Sequence, residues 1–236
     1  MKIQIFIIIL MFTCSYTLVA QEETLENDEI DVTGGSKYLE DQFYIGLTYN
    51  ILVDRPSNVS QNNFSNGLQF GFIKDIPLNT RRNVGLGIGL GLAKNSFFSN
   101  LRASEVEDDI IYEVIGGSES YRRNKVTSYL IEMPFEFRWR TSTVDSYRFW
   151  RVYTGVKLGY AFSSRSKYVT ADEKLTFSNP HVEKFQYGVY FSFGYNTWNF
   201  YGYYQLNYLF KDRMIESTGE QIKMRPLNIG LMFYIL

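Results

Sequence analysis

V-G-L-G-I-G-L-G-L-A, residues 84–93, is the stretch that decides the fold. Val84, Leu86, Ile88, Leu90 and Leu92 alternate with Gly85, Gly87, Gly89, Gly91 and Ala93. A β-strand sends successive side chains to opposite faces, so one face is wholly apolar and the other almost bare. A helix would spread the glycines around its circumference, each costing about 0.8–1.0 kcal/mol relative to alanine. A phosphate-binding G-x-G-x-x-G loop fails because position 90 is leucine. An ordinary half-exposed strand would set polar groups, not glycines, opposite its core face. The pattern fits a strand with bulky residues toward an apolar medium and tiny ones toward a crowded barrel interior. Lipid is the apolar medium this suggests.

The same alternation recurs along the chain. Near Gln42 to Leu52, Phe43, Ile45, Leu47, Tyr49 and Ile51 share a face. From Ser65 to Ile76 the apolar face carries Leu68, Phe70 and Phe72, against Gln69 and Gly71. Val126 to Arg140 places Tyr129, Ile131, Met133, Phe135, Phe137 and Trp139 opposite Ser128, Glu132, Glu136, Arg138 and Arg140. Further strands are read at Tyr147–Ser163, Glu183–Tyr195, Trp198–Phe210 and from about Leu227 to the end. Together with the glycine strand these make eight. Their connections alternate long and short, the short ones being Pro77–Arg82, Thr141–Ser146 and Asn196-Thr197. The stretches Asn95–Lys125 and Ser164–Val182 read as long irregular loops. This is the asymmetry of an eight-stranded, antiparallel, up-and-down transmembrane β-barrel, with short periplasmic turns and longer outside loops. An even strand count puts both termini on the periplasmic side. Trp139, Trp150 and Trp198 then flank short turns and form a periplasmic aromatic girdle. The rival is a soluble ligand-binding barrel with the faces exchanged, which periodicity alone does not distinguish. The leader, the tryptophans and the loop asymmetry favour the membrane.

Composition agrees. Aromatic residues make up 17% of the 236, with 19 tyrosines and 19 phenylalanines. The net charge of −1 excludes the basic footprint of a nucleic-acid binder. Mean hydropathy is only −0.20, and past the N-terminus nothing resembles the roughly 20 apolar residues of a transmembrane helix. Residues 1–20 read as a secretory signal: Lys2, an apolar core from Ile3 to Phe12, and cleavage after Ala20. Cys14, the single cysteine, lies inside it, so the mature chain has no thiol chemistry. Residues 21–41 are acidic and Gly-Gly-Ser-containing, a flexible periplasmic lead-in to a barrel domain over 42–236.

The segments L-I-E-M-P-F-E-F-R-W-R (130–140), W-R-V-Y-T-G-V-K-L-G-Y (150–160), F-Q-Y-G-V-Y-F-S-F-G-Y-N-T-W-N-F-Y (185–201) and the ending N-I-G-L-M-F-Y-I-L resemble the PorT family of outer-membrane β-barrels. The likeness runs from about residue 42 onward. It implies an envelope protein associated with type IX secretion and gliding-type machinery, with no enzymatic site to carry over.

Five polar-face charges, Glu132, Glu136, Arg138, Arg151 and Lys157, are the candidate site. A Glu132–Glu136 pair could be read as two catalytic carboxylates. Inward charges in a narrow barrel more simply pair across strands, Glu136 with Arg151 or Glu132 with Lys157, according to the register of the connecting turn. Pro134 lacks an N–H and so needs a bulge or a break in its ladder. His181, the sole histidine, lies in a predicted loop without a nucleophile motif. No cofactor or metal-ligand pattern is present in the sequence. The expectation is a non-enzymatic barrel whose partners are outer-membrane lipid and envelope or secretion-machinery proteins. A narrow diffusion channel and a hydrolase built on the outer loops are the alternatives.

Overall fold

The computed structural model describes residues 42–235 except Asn62, Asp108, Ser118 and residues 142–149. The signal and the acidic lead-in lie outside the described residues, as does most of the Thr141–Ser146 turn. The strands are β1 (Gln42–Val53), β2 (Asn66–Pro77), β3 (Val84–Phe98), β4 (Leu101–Val106), β5 (Asp109–Val114), β6 (Arg123–Arg140), β7 (Trp150–Val169), β8 (Lys174–Ser178), β9 (Phe185–Tyr195), β10 (Trp198–Gln205) and β11 (Arg225–Ile235). One sheet runs β6-β3-β2-β1-β11-β10-β9-β7-β8, and β6 also pairs with β7. That extra pairing closes the sheet. Of its nine strands only β8 hangs outside the ring, leaving a closed barrel of eight.

Every pairing is antiparallel, and each barrel strand lies beside its neighbour in the chain. Closure leaves no edge in the ring, so backbone groups inside a membrane need no water. The connections 78–83 and 196–197, the end of β6, the start of β7 and both ends of the described barrel chain lie at one end; the other four connections lie at the opposite end.

The faces settle the choice between lipid-facing and cavity-facing apolar residues. Leu90 is 59% exposed and Phe43 60%, while Lys157 is 4% exposed and Arg138 fully buried. The apolar face of the ring looks outward and the charged face inward, the inverse of a soluble ligand-binding barrel.

The inward glycines of β3 make room for large polar neighbours. A Cβ on Gly87 would sit 2.7 Å from Arg138 Nε, and one on Gly91 would collide with the Tyr44 hydroxyl. Pro134 lies where the β3–β6 ladder is interrupted: Ile88 pairs with Phe135 and Gly91 with Glu132, with no partner for Pro134 between them. The missing N–H thus coincides with a break in the ladder, and the ring packs toward Gly89.

The long loops depart from expectation. Asn95–Lys125 is not irregular. β3 continues through it to Phe98, β4 and β5 form a hairpin, and β6 begins at Arg123. Within 164–182, β7 runs on to Val169 and pairs with β8. β6 has 18 residues and β7 20, against the roughly 9–11 a tilted strand needs to span a bilayer. These strands therefore project beyond the membrane. β10 stops at Gln205, short of the strand end at Phe210 read from the sequence, and Phe210 is buried at 5% exposure.

Candidate functional site

Two buried assemblies lie within the described residues, one inside the ring and one above it. Inside, β6 and β7 supply the charges and β2 a carboxylate. Lys157 Nζ lies 3.1 Å from Glu132 Oε2 and donates to Gln69 Oε1 at 2.6 Å and to the Tyr201 hydroxyl at 2.8 Å. Of the two cross-strand pairings expected, this is the one formed.

Glu136 does not pair with Arg151. Its Oε2 accepts from Arg138 Nε at 2.7 Å, two residues along the same strand and on the same face. Register explains the difference. Arg151 is opposite Arg140, and Glu136 is opposite Gly155. The second guanidinium nitrogen used by Arg138, Nη1, reaches Asp75 Oδ1 at 2.9 Å, and Arg140 Nη2 reaches Asp75 Oδ2 at 2.7 Å. Asp75 thus holds two arginines from the far side of β3. Sequence reasoning missed it, although its parity was legible: Gln69, Gly71 and Ile73 precede it on the inward face of β2.

Tyrosines surround these charges. The guanidinium of Arg138 lies 4.7 Å from the Tyr153 ring centre, and that of Arg151 5.9 Å from the Tyr234 ring centre. Lys157 lies 5.1–5.5 Å from the rings of Tyr201, Tyr190 and Tyr203. Cation–π attraction strengthens where water is excluded. The two cavities beside Lys157 measure about 10 Å³ each, room for about one water. The arrangement fills the ring with bonded side chains rather than leaving a bore.

Above the ring the core is oily. Leu52, Val59, Phe97, Leu101, Tyr112, Val126, Val182, Phe210, Ile215 and Met224, drawn from all four long connections and the strand ends beside them, pack as one buried cluster. Ile215 is fully buried. The connections therefore fold into a crown over the barrel mouth. His181 sits at its edge, with Nδ1 3.4 Å from the Tyr112 hydroxyl and Nε2 3.5 Å from Asp109 Oδ1. Tyr112 donates to Asn179 Oδ1 at 3.0 Å. Burial pushes the Tyr112 hydroxyl up to about 12. Burial, then Arg213, holds the His181 imidazole below its ordinary value. A neutral imidazole beside a phenol that resists ionisation suits a structural clasp better than an activated nucleophile.

The tryptophans occupy the short-turn end. Trp139 is the penultimate residue of β6, and Trp150 and Trp198 open β7 and β10. They are 41%, 55% and 63% exposed. Trp150 meets Tyr195 at 5.5 Å, and Trp198 meets Phe233 edge-on at 4.8 Å. Outward-facing tryptophans at one end of a barrel are the residue type that spanning barrels gather at a membrane interface.

A closed up-and-down ring, apolar outside and packed with bonded charges inside, is a transmembrane β-barrel of the outer-membrane type. The chain belongs to the family described as outer membrane protein beta-barrel domain, whose model matches residues 19–211. It is thus a β-barrel protein of the bacterial outer membrane. No curated protein matches it in sequence. Among solved structures, the crystal structure of Ail, the attachment invasion locus protein of Yersinia pestis, in complex with the heparin analogue sucrose octasulfate, is similar at 12% identity. That match covers 83% of this chain and 97% of the other, with a TM-score of 0.35.

Proposed function

We propose that this barrel is a non-enzymatic, non-conducting platform that serves protein export across the outer membrane as a structural or accessory component. The observation that carries this reading is the filled lumen, in which Lys157, Glu132, Glu136, Arg138 and Asp75 bond to one another in place of a bore. A ring plugged twice, by charges within and by an apolar cluster above, offers its crown and its short-turn end as working surfaces. In this reading the short turns and both termini face the periplasm, and the three tryptophans mark the inner interface. The resemblance to the PorT family adds the particular system, type IX secretion with its gliding-type machinery. Envelope proteins of that machinery are then the partners.

The test has two arms. In planar bilayers the purified barrel should show no steady conductance; a reproducible open state would favour the diffusion channel instead. Pull-down of the full chain from mildly solubilised membranes should recover secretion components. Recovery of a clean monomer that conducts ions would sink the proposal.

A further inference from the structure

The outer wall of the barrel changes character abruptly on one side. On β6 the outward residues Met133 and Ile131 give way, past Tyr129, to Lys125 and Arg123. Register places Lys125 opposite Lys167 and Thr127 opposite Arg165 on β7. On β3, Lys94 lies opposite Tyr129 and Phe98 opposite Lys125. Directly paired residues share a face, so Lys94, Arg123, Lys125, Arg165 and Lys167 form one outward patch.

Among the described residues none of these five makes an ion pair; Lys125 has only the Phe98 ring, at 5.2 Å. Lys94, Arg123 and Lys167 instead lie close enough to Lys125 to repel it. Two cations elsewhere in the upper structure are paired. Arg225 is held by Asp54 at 2.6 Å, and Arg102 by Glu113 and Glu119. In a chain of net charge −1, five uncompensated cations on one face call for an anion from outside.

The patch is continuous with the lipid-facing wall. Tyr129 and Phe162, with ring centres 6.4 Å apart, lie just below it, and Leu92 is two residues from Lys94. At about 3.4 Å per residue, Lys125 is roughly 14 Å along the strand from Tyr129, less in height because barrel strands tilt. A ligand that meets both the rings and the cations carries acyl chains and phosphate on one molecule. Lysine and arginine at this level supply charge-assisted bonds to phosphate oxygens.

We infer that the patch of Lys94, Arg123, Lys125, Arg165 and Lys167 binds the phosphate headgroup of an outer-leaflet lipid, fixing one phosphorylated glycolipid against the β3–β6–β7 wall. The inference rests on the long connections facing outward. Surface proteolysis of the crown in intact cells tests that orientation separately, and its failure alone would leave the binding result below intact.

The experiment uses the full chain folded in a neutral detergent and titrated with lipid A carrying its two phosphates, read by native mass spectrometry. Retention is expected, with dephosphorylated lipid A held at least tenfold more weakly. Lys125→Gln/Arg165→Gln/Lys167→Gln should weaken binding tenfold or more, and Lys74→Gln on β2 at the other end should not. If the triple variant fails to fold, Arg165→Gln alone and the comparison of the two lipids decide. Equal retention of the dephosphorylated lipid, undiminished binding by the folded variant, or displacement by millimolar inorganic phosphate would each overturn the inference, the last by making this a site for free anions.

Discussion

The ring and the crown are built by the same strands on opposite chemical terms. Within the ring, the inner face of β6 carries Glu132, Glu136 and Arg138 and the outer face Ile131, Met133 and Phe137. In the crown, the inner face of that strand carries Val126, within the apolar cluster, and the outer face Lys125 and Arg123. Near the register shift at Tyr129/Leu130 the outer face turns from apolar to cationic, and the inner face turns from charges to the neutral residues Ser128, Val126 and Asn124. A bulge there is the expected companion of a change in what each face meets. The surrounding medium sets the rule. In lipid the oily side must look out and charges must find each other within; in water the oily side turns in.

This contrast can be broken most forcefully at Asp75. Asp75→Ala leaves Arg138 and Arg140 buried without their shared carboxylate, at a cost of roughly 3–5 kcal/mol. The heat-induced mobility shift of the detergent-folded barrel should move to markedly lower temperature. An unchanged shift would mean the lumen network holds nothing together.

In the crown the matching cut is Ile215→Ala, a buried apolar truncation worth about 2–5 kcal/mol locally. Here the barrel's heat shift should stay put while the long connections become protease-sensitive. Loss of both together would show that ring and crown are one cooperative unit.

Gly87→Val sharpens the lumen side by overpacking. Its side chain meets Arg138, and a penalty of about 1–3 kcal/mol is expected in the same assay. Gly116→Val, where nothing lies within 4 Å, should cost little.

The smallest effect is one of pH. Burial lowers the His181 pKa in the folded crown, so as pH falls the unfolded chain takes up the proton first. Crown stability should be full above the ordinary histidine value of about 6.5 and decline below it, toward the folded pKa. Protease cleavage of the crown should therefore rise between pH 7 and pH 5, and His181→Gln should flatten that rise. An identical rise in the variant would assign it to other groups.

Much of the ring was legible because a period-two pattern registers burial on every residue. Residues 84–93, with five apolar positions facing five small ones, left little else to fit. The crown was not legible. From Leu101 the alternation lasts only four residues, Ile110 sits beside a second isoleucine, and Ile215 lies outside any strand, so a cluster drawn from four separate connections leaves no long local period to read. The lumen fell between. Parity marked Glu132, Arg138 and Lys157 as inward, but partner choice depends on register and side-chain length, so Glu136 took Arg138 on its own strand rather than Arg151. Asp75 was overlooked because it ends a short apolar run beside a turn, where a carboxylate reads as solvated.

The central claim, that the apolar residues of the glycine strand face acyl chains, is tested most directly by a nitroxide at Leu90→Cys in reconstituted bilayers. High collision with oxygen and low collision with a water-soluble nickel chelate are the results predicted for a lipid-facing site. Low collision with both, the mark of a side chain packed inside the ring, would contradict it.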